Sequence, residues 1–248
     1  MRLCSLVAAA FLLVPSMAQT AEIKLFASGA LKEAYLELLP KFEAASGHKV
    51  MPAWSSTTDI QKRVAGGEVA DLVILGDSGT EALIKDGKLI AGTRAVFAKS
   101  GIYIAVRSGA PKPDISSADG LKRSLVAAKS VGYSEGASGT YLVGMLQRLG
   151  IYDQVKSKAS IAKANEPVGE KVAQGEAEIG FHQLSELTPV KGIDIVGPLP
   201  AELQFITVFS GALHHETKEP PATTEALIKF LTAPAAGENI KKYGLEPS

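Results

Sequence analysis

The chain has 248 residues, with 26 Lys+Arg against 26 Asp+Glu, a formal net charge of zero, 46% hydrophobic residues and 6% aromatic ones. That is enough chain for one large domain or two small lobes, and its scattered, balanced charge leaves no electrostatic footprint for nucleic acid or an anionic membrane surface. The single Cys4 excludes a disulfide scaffold or a cysteine zinc site, and His48, His182, His214 and His215 lack zinc-enzyme spacings, so no metal or other cofactor is expected.

Arg2 precedes the apolar run 6–14, and Pro15-Ser16-Met17-Ala18 follows with small residues suited to a signal peptidase. The pattern predicts a signal peptide over residues 1–18 and export. The run is too short to span a bilayer as a helix, and Cys4, lying ahead of it, leaves with the signal.

Glu22-Ile23-Lys24-Leu25-Phe26 alternates polar and apolar, then Leu31, Ala34, Tyr35, Leu38, Leu39 and Phe42 recur at helical spacing. Strand, tight turn and helix are expected, with Pro40 kinking or shortening the helix. Residues 49–54 form a second predicted strand, and Thr58-Asp59-Ile60-Gln61 fits a capping box opening the next helix. The nearly continuous apolar run Ala70-Asp71-Leu72-Val73-Ile74-Leu75 has the pattern of a strand covered on both faces. Strands alternating with helices give the class α/β.

Residues 97–106 predict a further strand, leading to a Pro/Gly-rich loop at 108–113. The pattern then restarts: strand-like Ser130-Val131-Gly132-Tyr133, a polar turn at 135–139, a helical stretch at 141–149. Ala173-Gln174-Gly175-Glu176-Ala177-Glu178-Ile179-Gly180 echoes Ala65-Gly66-Gly67-Glu68-Val69-Ala70-Asp71-Leu72, which implies two similar lobes with a cleft. Residues 205–209 predict a strand returning to the first lobe, and 224–243 a helical tail interrupted at Pro234. The expected lobes are 22–98 with 206–248, and 99–205, joined by crossovers near Lys99 and Gln204.

A small polar residue recurs between strand and helix: Ser28, the stretch 56–58, Ser138 and Asn165. Each serves as an ordinary N-cap, or, if several face one cleft, together they form an anion site from unpaired helix N–H groups and hydroxyls. Gly76-Asp77-Ser78-Gly79 matches the nucleophile segment of trypsin-like proteases, but the α/β pattern and the missing disulfides favour a turn. His214-His215 reads as solvated loop and Arg63 as helix surface, while Arg107, at a strand end, is the better arginine for a charged ligand. His182 and Gln183 follow the apolar Ile179-Gly180-Phe181, either as a core pair or at a strand end where α/β folds bind ligands.

Leu25-Phe26-Ala27-Ser28-Gly29-Ala30-Leu31, the Ser55-Ser56-Thr57-Thr58 cluster with Ala70-Asp71-Leu72-Val73-Ile74, Gly139-Thr140-Tyr141 and Phe230-Leu231-Thr232-Ala233-Pro234 occur in an order that resembles the periplasmic molybdate-binding proteins of ABC importers, type II solute-binding proteins. The resemblance covers the mature chain. It implies a two-lobed type II fold with two crossover strands and a periplasmic, monomeric protein that holds a small anion, a molybdate-type oxyanion, between its lobes and delivers it to an ABC permease. The family's ligand positions fall at Ala30 with Ser28 and Gly29 beside it, at Thr57 with Ser56, at Ser138 with Gly139, and at Asn165, while Gln183 stands where the family has a tyrosine. Gln183 and Asn165 bring acceptors as well as donors, which can repel an oxyanion's lone pairs or bind the hydroxyl of an organic acid, and a small organic acid is the alternative to the molybdate-type oxyanion that the resemblance puts first. Some members of this fold resemble exported isomerases of tricarboxylic acids such as aconitate. For that alternative His182 is the one imidazole expected near the cleft.

Overall fold

A computed structural model of the chain describes residues 20–163 and 166–248. The expected signal peptide and Asn165 lie outside the described residues. Among those described, no helix is long and apolar enough to cross a membrane.

The first third is β1 (Glu22–Ser28), α1 (Lys32–Ser46), β2 (Lys49–Ser55), α2 (Thr57–Ala65), β3 (Leu72–Gly76) and α3 (Asp77–Lys85). In α1 the apolar repeat Ala34, Tyr35, Leu38, Leu39 and Phe42 is buried, as its spacing predicts. Contrary to expectation, the helix runs unbroken through Pro40 to Ser46. Pro40 and Leu36, whose carbonyl loses its partner, are both exposed, so water can satisfy that carbonyl. The cap of α2 is Ser56, whose Oγ accepts from Asp59 N at 3.1 Å. Thr58, expected as the cap, lies inside the helix and donates to Glu135 O at 3.1 Å.

The long β4 (Ala95–Arg107) leads to α4 (Ala118–Ala127), β5 (Val131–Ser134), α5 (Ala137–Arg148), α6 (Tyr152–Lys156), β6 (Ala159–Ala162), α7 (Val168–Gln174), β7 (Ile179–Gln183), α8 (Leu184–Leu187) and β8 (Ile193–Pro198). The chain then returns through β9 (Ile206–Leu213) to α9 (Pro221–Thr232), α10 (Gly237–Lys242) and β10 (Glu246–Pro247). Pro234 separates the two tail helices, as the sequence predicts.

The sheet order is β2-β1-β3-β9-β4-β7-β5-β6, with β8 and β10 paired to β4. Strands β1, β2 and β3 are parallel, as are β5, β6 and β7. β4 joins the two sets: it pairs antiparallel with β9 up to Gly101 and with β7 from Ile102 onward. Its partner therefore changes at 101–102. Gln204 marks the return, accepting from Ile102 N and donating to Ile102 O, both at 3.1 Å.

Two lobes follow from the cores. Ile23, Leu25, Tyr35, Phe42, Leu72 and Phe209 pack on one face of the first sheet, and Phe26, Ile60, Val64, Val73 and Leu75 on the other. A separate core of Ile102, Ile104, Leu121, Leu142, Leu146 and Phe181 fills the second lobe. This is the two-lobed type II α/β fold, with β4 and the 204–206 segment crossing between lobes.

One loop expectation needs correction. His214 is buried at 1% exposure, because the loop folds back and its backbone N–H donates to Asp71 O, while His215 alone remains exposed. Gly76-Asp77-Ser78-Gly79 is the β3–α3 junction, and Asp77 accepts from Ser210 Oγ and Arg94, so the segment is structural.

Candidate anion cleft with a histidine–glutamate pair

The strand ends deliver their polar residues to a cleft of about 530 Å³. From the first lobe come Ser28, Gly29, Ser55, Ser56 and Thr57; from the second come Ser134, Ser138, His182, Gln183, Ser185 and Glu186. The starts of α2 and α5 both border it, so two helix N-termini place partial positive charge on one space. The lobes also touch through Thr58 Oγ1 donating to Glu135 O.

Hydrogen bonding decides what these hydroxyls offer. Ser28 Oγ accepts from Ala30 N (3.4 Å), Ser56 Oγ from Asp59 N (3.1 Å), Thr57 Oγ1 from Gly76 N (3.0 Å) and Ser134 Oγ from Gly136 N (3.2 Å). Each backbone N–H uses an oxygen lone pair; at Ser28, Ser56 and Thr57 the hydroxyl proton stays free to donate, while Ser134 Oγ lies 3.4 Å from Ser138 Oγ, so one proton of that pair runs between them. A ring of such donors suits an anion. Ser55 differs, because its proton goes to Asp59 Oδ2 at 2.7 Å.

His182 is 4% exposed, with Nε2 3.4 Å from Glu186 Oε2 and a buried Nδ1 that has no partner among the described residues. The pair exists because His182 is the penultimate residue of β7 and Glu186 lies one turn on in α8, four residues later. Gly29 of the facing lobe makes room for the carboxylate: a Cβ there would stand 3.2 Å from Glu186 Oε1. Burial pushes the Glu186 carboxyl above the usual range, and attraction to His182 opposes that in part. About a quarter of the Glu186 side chain remains open to the cleft.

The unfolded chain releases the Glu186 proton first, at the ordinary value of about 4.3, so stability falls as pH rises from there to the raised folded value. Glu186→Gln, which carries no titrating proton, should melt close to the wild type near pH 4 and above it at pH 7–8. Thermal melts across that range test this, and equal melting temperatures at pH 8 contradict it.

Of the residues singled out in the sequence, Ser28, Gly29, Ser56, Thr57, Ser138, His182 and Gln183 converge on the cleft. Ala30 is buried behind Ser28 and does not line it. Gly139 does not line it either: its Cα lies against Ser134 O, where a Cβ would sit 1.6 Å away. Gln183 lines the cleft but its amide is committed to the crossover strands, its nitrogen donating to Ser100 O at 3.0 Å and its oxygen accepting from Thr207 Oγ1 at 2.7 Å. Arg107 is exposed at the far end of β4, and Arg63 is paired with Glu68. Sequence reading missed Ser134, Ser185 and Glu186. Only Glu186 left a signal, the His-x-x-x-Glu spacing across a strand end.

The comparisons with known proteins now bear on this geometry. The model of a family described as bacterial extracellular solute-binding protein matches residues 23–246. The chain belongs to that family. The solute-binding chain is 39% identical over 231 residues to an aconitate isomerase of Pseudomonas sp, covering 91% of this chain and 87% of that one. It is 29% identical over 248 residues to the molybdate-binding protein ModA of Azotobacter vinelandii, covering 94% and 92%. Its fold matches the solved periplasmic molybdate-binding protein of Azotobacter vinelandii with a TM-score of 0.72 at 19% identity, over 91% of this chain and 99% of that one.

Proposed function

We propose that this protein captures a small polycarboxylate between its lobes and catalyses a proton shift on it, interconverting the isomers of an aconitate-type tricarboxylate. The carrying observation is the His182–Glu186 pair on the cleft wall. A passive trap for a tetrahedral dianion gains nothing from an imidazole lone pair, and a carboxylate beside the ligand repels it. The same pair suits proton transfer: Glu186 Oε2 lies 3.4 Å from Nε2, so the proposed tautomer carries its proton on Nε2 beside that carboxylate and uses the free Nδ1 as base.

The chemistry balances without a cofactor. Nδ1 takes a proton from the methylene carbon of the allylic acid, and the C–H electron pair spreads over the three-carbon unit and the adjoining carboxylate. The proton returns to the former vinyl carbon, and the new double bond forms at the former single bond to the methylene carbon, so the torsion at which the cleft holds that bond decides the isomer produced. The double bond shifts, no atom is gained or lost, and the imidazole is regenerated. The hydroxyl protons and the two helix N-termini hold the carboxylates, while Lys32, Lys163 and Lys191 on the cleft lining are offset by Glu33, Glu166 and Glu170 there. The 39% identity with an aconitate isomerase supports this reading.

A second reading keeps the hydroxyl ring and discards the pair: an oxyanion of the molybdate type is captured and passed to an ABC permease, as the ModA relatives suggest. Both readings place the protein in the periplasm after loss of residues 1–18. Both also divide it at 22–98 with 206–248, and 99–205, with β4 and the 204–206 segment as hinges for closure. The purified protein mixed with either aconitate isomer, followed by proton NMR, tests the first reading. The same equilibrium mixture reached from both sides supports it; tight molybdate binding by calorimetry without turnover of either isomer favours the second.

A further inference from the structure

Ser185 is 2% exposed, lines the cleft, and its Oγ has no hydrogen-bond partner among the described residues. A buried unpaired hydroxyl is costly, and native proteins keep few of them. The other cleft hydroxyls Ser28, Ser56, Thr57 and Ser134 each satisfy a backbone N–H. In the same corner, Thr188 bonds back to Leu184 O at 2.8 Å, the ordinary recourse of a hydroxyl near a helix. Ser185 does neither. Three residues before it stands the second orphan of this wall, His182 Nδ1. Two unpartnered polar atoms on one turn of chain, both lining one cleft, mark a place where a ligand completes the hydrogen bonding.

We propose that Ser185 donates its hydroxyl proton to the ligand carboxylate next to the carbon that loses its proton, stabilising the charge that develops there. The inference rests on the isomerase reading above. As the C–H electron pair moves toward that carboxylate, its oxygens gain negative charge, and the hydrogen bond from Oγ–H strengthens with it; the hydroxyl keeps its proton throughout. A donor fixed in advance of charge development acts on the transition state more than on the bound substrate.

The test is Ser185→Ala assayed on both aconitate isomers beside the wild type and His182→Gln. Since Ser185 Oγ bonds to no protein group, the alanine variant should melt at the wild-type temperature or above it. Its kcat should fall about 100-fold, the loss typical of one such donor, with KM near the wild-type value. A kcat at the wild-type level overturns the proposal, as does a raised KM with kcat unchanged, which would make Ser185 a mere binding contact. If the wild type converts aconitate, His182→Gln does not and Ser185→Ala does so at full rate, the Ser185 inference alone fails. If the wild type converts neither isomer, the isomerase reading fails and takes the Ser185 inference with it.

Discussion

His182→Gln should lose isomerisation by a factor of roughly 10²–10⁴, the usual contribution of a positioned general base, while still binding the tricarboxylate. The expectation comes from the division of labour in the cleft. Binding rests on hydroxyl protons left free at Ser28, Ser56 and Thr57 and on one proton of the Ser134–Ser138 pair, none of which involves the imidazole. Proton transfer rests on Nδ1, which has no partner among the described residues, with the Glu186 carboxylate 3.4 Å from Nε2. Progress curves with either isomer, together with calorimetry on the variant, separate the two effects. Full activity in His182→Gln would remove the base from the mechanism, and loss of binding along with activity would show that the imidazole holds the ligand.

The largest structural effect is expected at Gly139. A Cβ there would stand 1.6 Å from Ser134 O and 2.7 Å from Ser134 C, and both are backbone atoms that cannot swing aside. Gly139→Ala must therefore push the β5–α5 turn apart, and a loss of more than about 3 kcal/mol is expected, beyond the ordinary cost of overpacking. The turn carries Ser134 and Ser138, so the variant should also lose anion binding. Gly144 on the same helix is the control. A Cβ there meets only the end of Arg148 at 3.5 Å, so Gly144→Ala should stabilise by about 0.5–1 kcal/mol through reduced backbone entropy. Chemical denaturation of both variants checks the pair, and a Gly139→Ala protein as stable as Gly144→Ala contradicts the steric account.

Those glycines also show what the sequence reveals and what it withholds. The strands are legible because burial on both faces forces near-continuous apolar runs such as Leu72-Val73-Ile74-Leu75, all four fully buried. α1 is legible because its buried face repeats at helical spacing, and Pro40 misleads only because it falls on the exposed face, where a lost backbone bond is cheap. The polar turns at Ser28, Ser56 and Ser138 are legible as strand-to-helix junctions, and the fold brings them to one cleft.

Roles that depend on tertiary partners are not legible. Gln183 looks like a ligand reader by position, but its amide meets Ser100 and Thr207, far away in sequence. His214 looks like solvated loop because nothing local shows that its segment wraps around Asp71, which accepts from Thr217 Oγ1 and from the Lys218 N–H. Ser185 is one serine among many in the sequence, and its distinction, an empty hydrogen-bonding capacity inside a cleft, is a property of the folded chain alone.

The central claim is that a proton leaves one carbon of the ligand and another is returned two carbons away, with His182 as carrier. Trans-aconitate carrying two deuterium atoms on its methylene carbon, incubated with the wild-type protein and examined by NMR, tests this most directly. A proton shift turns the labelled methylene into a vinyl carbon, so the cis product must carry a single deuterium there. Cis product that retains both deuterium atoms on an intact methylene, or no cis product at all, would contradict the account.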